Sequence, residues 1–197
     1  MARTKVFDPR LALEAAMEVF WEKGYEASST DDLLTAMKIG RQSMYDTFGD
    51  KKQLYLAALE HYIDTGGVEM RRRFGGALTP LQAIQEFLME TAQAGARDRA
   101  RGCMAVNAAS DFGEQDADVC ALVTRAGEVT EGVLARLLAQ AKERGEVAPG
   151  LDVAAAASYI HTTIRGMRTS AKAGVGAGLL SATAGFVMAA LKAPAAQ

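Results

Sequence analysis

The 197-residue chain is 49% hydrophobic and 23% charged, enough apolar material for a sizeable core in one or two domains. A formal net charge of −2 excludes the strongly basic nucleic-acid binders, so any contact with DNA must come from a local patch. Cys103 and Cys120 are too few for a disulfide framework and lie in no His/Cys pattern that would hold zinc, so no metal or cofactor is expected.

No apolar signal-peptide core opens the chain, and His161, Arg165, Arg168 and Lys172 interrupt the Ala-rich C-terminal segments. Neither a secretory leader nor a membrane span is expected, and a cytoplasmic setting fits. Alternating β-branched runs bounded by turn residues are missing, which points to an all-α fold.

In chain order, Asp8 and Pro9 announce a first helix with Leu11, Ala12, Ala15, Ala16, Val19 and Phe20 on one apolar stripe, stopped at Gly24. Ser29 and Asp32 cap a second, two-turn helix buried through Leu33, Leu34 and Met37. After Lys38, Ile39 and Gly40 comes a third short helix, Arg41 to Phe48, anchored by Met44 and Phe48. Asp50 caps a fourth, expected to end at Gly66 and Gly67. Beyond the basic run Arg71 to Arg73 and the Gly75, Gly76 pair, Thr79, Pro80 and Gln82 open a fifth helix carrying Ile84, Phe87 and Leu88. A charged loop from Arg97 to Arg101 should precede a short helix from Cys103 to Phe112, and Asp116 should open a long one ending near Gly145. Two last helices, about Asp152 to Ala173 and Ala177 to Lys192, are dense in small residues that permit close helix approach, within the chain or between subunits.

The two short helices joined by a tight turn have the dimensions of a helix-turn-helix. A helix in the major groove presents its N-terminal side chains to base edges: Arg41 can donate twice to guanine and Gln42 can pair with adenine. Ser43, Tyr45, Thr47 and Lys51 can donate to phosphates. Gross charge argues the other way, because acids outnumber bases in the first 55 residues. Spacing alone also leaves open an exposed helix hairpin.

The stretch Gly24, Tyr25, Glu26, Ala27, Ser28, Ser29, then Asp31, Asp32, Leu33, Ile39, and Ser43, Met44, Tyr45, Asp46, Thr47, Phe48, Gly49, Asp50, Lys51 and Leu54 resembles the DNA-binding domain of the TetR family. The resemblance implies a three-helix DNA-binding domain, here 1–55, and an all-helical regulatory domain, 56–197. It also implies a homodimer through the last two helices, and repression of a double-stranded operator relieved by a small-molecule effector. By position it places Arg41, Gln42 and Ser43 at bases and adjacent phosphates, and Ser28, Tyr45, Thr47 and Lys51 at phosphates. Three residues depart from the family pattern: Lys38 where the turn often has Gly, Gly40 in place of a Ser cap, and Asp46 where a base or Trp is commoner.

Beyond Tyr62, the run Arg101, Gly102, Cys103, Met104, Val106, Asn107 and then Asp116 resembles one branch of that family. An effector pocket is expected among Phe87, Met104, Asn107, Phe112, His161 and Met167, with Asn107 and His161 as its polar points. Cys103, at a helix N-terminus near Arg99 and Arg101, is a candidate electrophile or redox sensor. A helical enzyme is disfavoured. His61 and His161 are the only histidines, and neither a Glu-x-x-His pair nor a Gly-rich phosphate loop occurs.

Overall fold

The computed structural model describes residues 7–74 and 79–192, apart from the side chain of Arg73. Arg3, Lys5 and the Gly75, Gly76 pair lie outside the described residues. Ten helices follow one another among the described residues: α1 Pro9–Lys23, α2 Thr30–Met37, α3 Arg41–Phe48, α4 Lys51–Phe74, α5 Pro80–Ala92, α6 Ala96–Arg101, α7 Met104–Phe112, α8 Ala117–Glu143, α9 Val153–Lys172 and α10 Ala177–Leu191. The fold is all-α, as the sequence indicates.

The helix starts are set by side chains that satisfy otherwise unpaired first-turn N–H groups. The Asp8 carboxylate accepts from the Arg10 and Leu11 N–H groups, and Ser29 with Asp32, and Thr79 with Gln82, form reciprocal capping boxes. Asp50 and Gln53 exchange the same pair of bonds at the start of α4.

Two stretches differ from expectation. The α4 helix does not stop at Gly66 and Gly67 but continues to Phe74. A Cβ built on Gly67 would lie 3.1 Å from Val129 Cγ1, so the missing side chain lets α4 and α8 approach closely enough to keep the helix packed. The charged stretch expected to be a loop forms the six-residue α6, which buries none of its residues. It is tied instead to α1, where Arg97 and Arg101 both bond Glu18.

Two apolar cores organise the chain. The first gathers Ala16 and Phe20, Leu33 and Met37, Met44, and Leu54, Tyr55 and Leu59, and continues into Met104 and Ala108 of α7 and Val119 of α8. The second joins α5, α8, α9 and α10 around Ile84, Leu88, Leu134, Leu138, Ile160 and Ile164. The α4 helix belongs to the first core through its N-terminal half and meets the second through Met70 and Phe74.

Candidate nucleic-acid interface and internal cavity

Met44 is fully buried in the first core, where α3 packs on α4, leaving Arg41, Gln42, Tyr45 and Asp46 on the solvent side. The Gly40 N-cap supplies no side-chain bond, so the first-turn N–H groups of α3 are uncapped by a side chain. Arg41 Nη2 lies 2.8 Å from Asp31 Oδ1, and Gln42 Nε2 donates to Asp46 Oδ1 at 2.7 Å. Exposed pairs of this kind are worth about 0–1 kcal/mol, so both polar heads can exchange their carboxylate partners for a ligand at small cost. Ser43 and Thr47 are half-buried. Lys51 holds its ammonium 4.4 Å from the centre of the Tyr25 ring.

Lys38 occupies the left-handed region at φ 54°, ψ 39°, where a side chain is disfavoured by roughly 1 kcal/mol. It is the one described non-glycine residue with positive φ, and it sets the angle between α2 and α3. Ser28 stands apart from the other expected phosphate donors and corrects that expectation. It is fully buried, and its hydroxyl is used in a 2.6 Å bond to the Gly24 carbonyl.

A cavity of about 230 Å³ opens between α4, α5, α7, α8 and α9, with Tyr62, Phe87, Cys103, His161, Arg165 and Arg168 among its walls. Of the six residues expected there, Phe87 and His161 line it. Met104 and Met167 are buried in the adjoining cores. Asn107 and Phe112 are elsewhere because each residue turns the helix about 100°: the α7 face toward the cavity carries Ala105 and Val106. The Asn107 amide donates to the Arg101 carbonyl at 2.8 Å and accepts from Lys172 Nζ at 3.0 Å. Phe112 packs on Tyr25 and Tyr55 with ring centres 5.2 and 5.4 Å away.

Cys103 is the N-cap residue of α7, as expected, but its cationic neighbour is Arg168 of α9. Arg99 turns instead to the Val175 carbonyl, and Arg101 lies 3.5 Å over the Trp21 ring. Burial pushes the Cys103 thiol up, yet the Arg168 guanidinium, the Tyr62 hydroxyl and the N–H groups of Val106 and Ala105 together hold it below its ordinary value. Tyr62 Oη donates to Cys103 Sγ at 3.5 Å, and burial raises the phenol. His161 Nδ1 lies 3.0 Å from Glu131 Oε1.

Residues 12–58 match the model of bacterial regulatory proteins of the tetR family, and residues 77–178 match the tetracyclin repressor-like C-terminal domain. The chain belongs to the TetR family. It is 34% identical to the uncharacterized HTH-type transcriptional regulator YezE of Bacillus subtilis, over 82% of this chain and 84% of that one. It is 30% identical to the HTH-type transcriptional repressor ComR of Escherichia coli, over 94% and 90% of the two chains. Among solved structures, a cysteine mutant of the TetR family transcriptional regulator CifR, complexed with 26-base-pair operator DNA, superposes with a TM-score of 0.81 at 29% identity, covering 96% of this chain and 99% of that one.

This TetR-family transcriptional regulator thus carries a DNA-binding helix-turn-helix in α2 and α3. Two cavity residues that the sequence reading missed, Arg165 and Arg168, had a readable signal. They follow His161 at spacings of four and then three, which puts all three on one stripe of α9. Tyr62 had none, since it reads as an ordinary core position of α4. No helix among the described residues is long and apolar enough to cross a membrane.

Proposed function

We propose that this regulator is a homodimeric repressor that binds a pseudopalindromic operator and is released when a small molecule enters the cavity. The observation that carries the reading is the course of α4: Lys51 stands at its start beside α3, and Tyr62, Ile63 and Gly67 of the same helix line the cavity. A ligand that shifts α4 therefore shifts the seat of α3. In this reading Arg41 and Gln42 read bases, while Ser43, Tyr45, Thr47 and Lys51 hold phosphates. The DNA-binding domain extends through residue 55, and the rest of the chain forms the regulatory domain. The dimer seam lies on α9 and α10, where Tyr159, Leu179 and Phe186 are exposed beside Gly166, Ala182 and Gly185. Two-fold symmetry then sets the recognition helices about 34–36 Å apart. Fluorescence anisotropy with the DNA flanking the protein's own gene tests the reading. Salt-sensitive binding that a cavity ligand reverses supports it, and binding indifferent to every such ligand rejects the release mechanism.

A second reading rests on the Cys103 environment: a thiol on the cavity wall, beside a guanidinium and a phenol, with its acidity enhanced. Here the signal is an electrophile or oxidant that modifies Cys103. If the Cys103→Ser variant still leaves its operator on treatment with quinone or hypochlorite, this reading fails.

A further inference from the structure

Several arginines of this fold meet carboxylates. Arg97 bonds Glu18 and Glu22, Arg101 bonds Glu18 and Asp98, and Arg125 bonds Glu60 and Asp64. Arg168 differs from these, because it is half-buried between the helices and its charged surroundings include no carboxylate among the described residues. Its neighbours are the Cys103 thiol, the Tyr62 hydroxyl and the Phe87 ring, whose centre is 6.0 Å away. What surface the residue retains opens onto the cavity and the two recesses flanking it.

Arg165, one turn earlier on α9, faces the same cavity and forms no ion pair among the described residues. Of the carboxylates at hand, Glu131 holds His161, Glu69, on the cavity wall, holds Arg72 at 2.8 Å, and Asp98, which lines a flanking recess with Glu90, holds Arg101 at 2.9 Å. A partly buried cation whose partners are a thiol and a phenol rather than a carboxylate is poorly compensated, and a carboxylate brought from outside supplies a full counter-charge. Most of the remaining wall, including Ile63, Phe87, Val129 and Ile164, is apolar.

Building on the effector-cavity reading above, we infer that the effector is a small organic carboxylate whose head is held by Arg168 and whose apolar body lies against Phe87 and Ile164. A guanidinium presents two parallel N–H groups that match a carboxylate, and the Tyr62 hydroxyl, turned from Cys103, supplies a further donor at the same end. Size narrows the class. A 150 Å³ apolar cavity accepts benzene, so by proportion the 230 Å³ here takes a molecule of roughly nine non-hydrogen atoms. Inorganic anions leave the apolar walls empty, and long-chain acids exceed the volume.

The test titrates the full-length regulator with benzoate, benzamide and benzylamine, three probes of nearly one shape and different charge. Benzoate is expected to bind at least about tenfold more tightly than benzamide, and benzylamine not at all. Arg168→Gln should weaken benzoate about 10- to 100-fold, with Arg168→Lys in between. Benzoate, which neither alkylates nor oxidises a thiol, should bind reversibly and wash out, which separates this site from a thiol sensor. Operator affinity of each variant confirms that its head is folded. Equal affinity for benzoate and benzamide, or benzoate binding untouched by Arg168→Gln, overturns the carboxylate inference and leaves the effector cavity standing. Failure of all three probes to bind, with operator binding intact, overturns both.

Discussion

The indole Nε1 of Trp21 donates to the Gly102 carbonyl at 2.9 Å, tying α1 of the DNA-binding unit to the residue immediately before Cys103. The same indole packs edge-on against Tyr62 with ring centres 4.8 Å apart, so one side chain touches both the cavity wall and the helix that supports α3. Trp21→Phe keeps most of the ring and removes the N–H. The expected cost is about 1 kcal/mol in denaturant unfolding. Operator affinity without effector should change by less than the effector-induced release does. Unaltered release would show that α1 does not transmit the cavity state.

Base readers and phosphate holders should separate by specificity. Arg41→Ala and Gln42→Ala are each expected to relax preference at one operator position, by about 1–3 kcal/mol, in a binding-site selection. Lys51→Ala should weaken all sequences alike and lower the slope of log affinity against log salt by about 1. A uniform loss in all three variants rejects the assignment.

Replacing Lys38 with glycine relieves its left-handed backbone. The expected gain is up to about 1 kcal/mol in unfolding free energy, read as a higher urea midpoint, with operator affinity nearly constant because the α2–α3 angle is unchanged.

Acid sensitivity follows from Asp32. Its bonds to Lys23 and Ser29 hold the carboxyl down at about 2 against an ordinary 3.8. A carboxyl depressed in the folded state contributes stability above its unfolded value and loses it as the pH falls through the folded one. Thermal unfolding followed between pH 4 and pH 2 should therefore fall less steeply in Asp32→Asn than in the parent chain.

Phe186, 77% exposed on α10, and Leu179, 66% exposed, are large apolar side chains left to solvent in the single chain. Phe186→Glu combined with Leu179→Glu is expected to give a folded monomer by light scattering, with operator affinity reduced at least about 100-fold through loss of bivalency. A variant that stays dimeric places the seam elsewhere.

Much of the fold was legible because its punctuation is local. Asp8, Ser29, Thr79, Asp116 and Asp152 each announce a helix start and each accepts first-turn N–H groups. The misread stretches depend on distant partners. Gly66 and Gly67 look like a stop until α8 is seen to need the space, and α6 lacks a buried face because α1 carboxylates hold it. The exposed face of α3, with Arg41, Gln42 and Tyr45, was readable from the helix itself, whereas the burial of Ser28 follows from the turn that brings its hydroxyl back to Gly24. The cavity was legible only in part, through two of the six residues expected there. Phe87 and His161 follow from apolar and polar patterning, but the pairing of Arg168 with Cys103 joins residues 65 positions apart, and no spacing rule specifies it.

The unbroken course of α4 through its glycine pair gives the molecule leverage. From Gly67, pressed against Val129, to Lys51 is sixteen residues, or about 24 Å of rigid helix. A tilt of about 5° about that fulcrum moves the far end by about 2 Å. In the two-fold dimer proposed above the displacements would oppose each other, so a cavity that yields by a fraction of an ångström would alter the span between reading heads by about 4 Å. Had α4 ended at Gly66, the bend would have absorbed that motion before it reached the DNA.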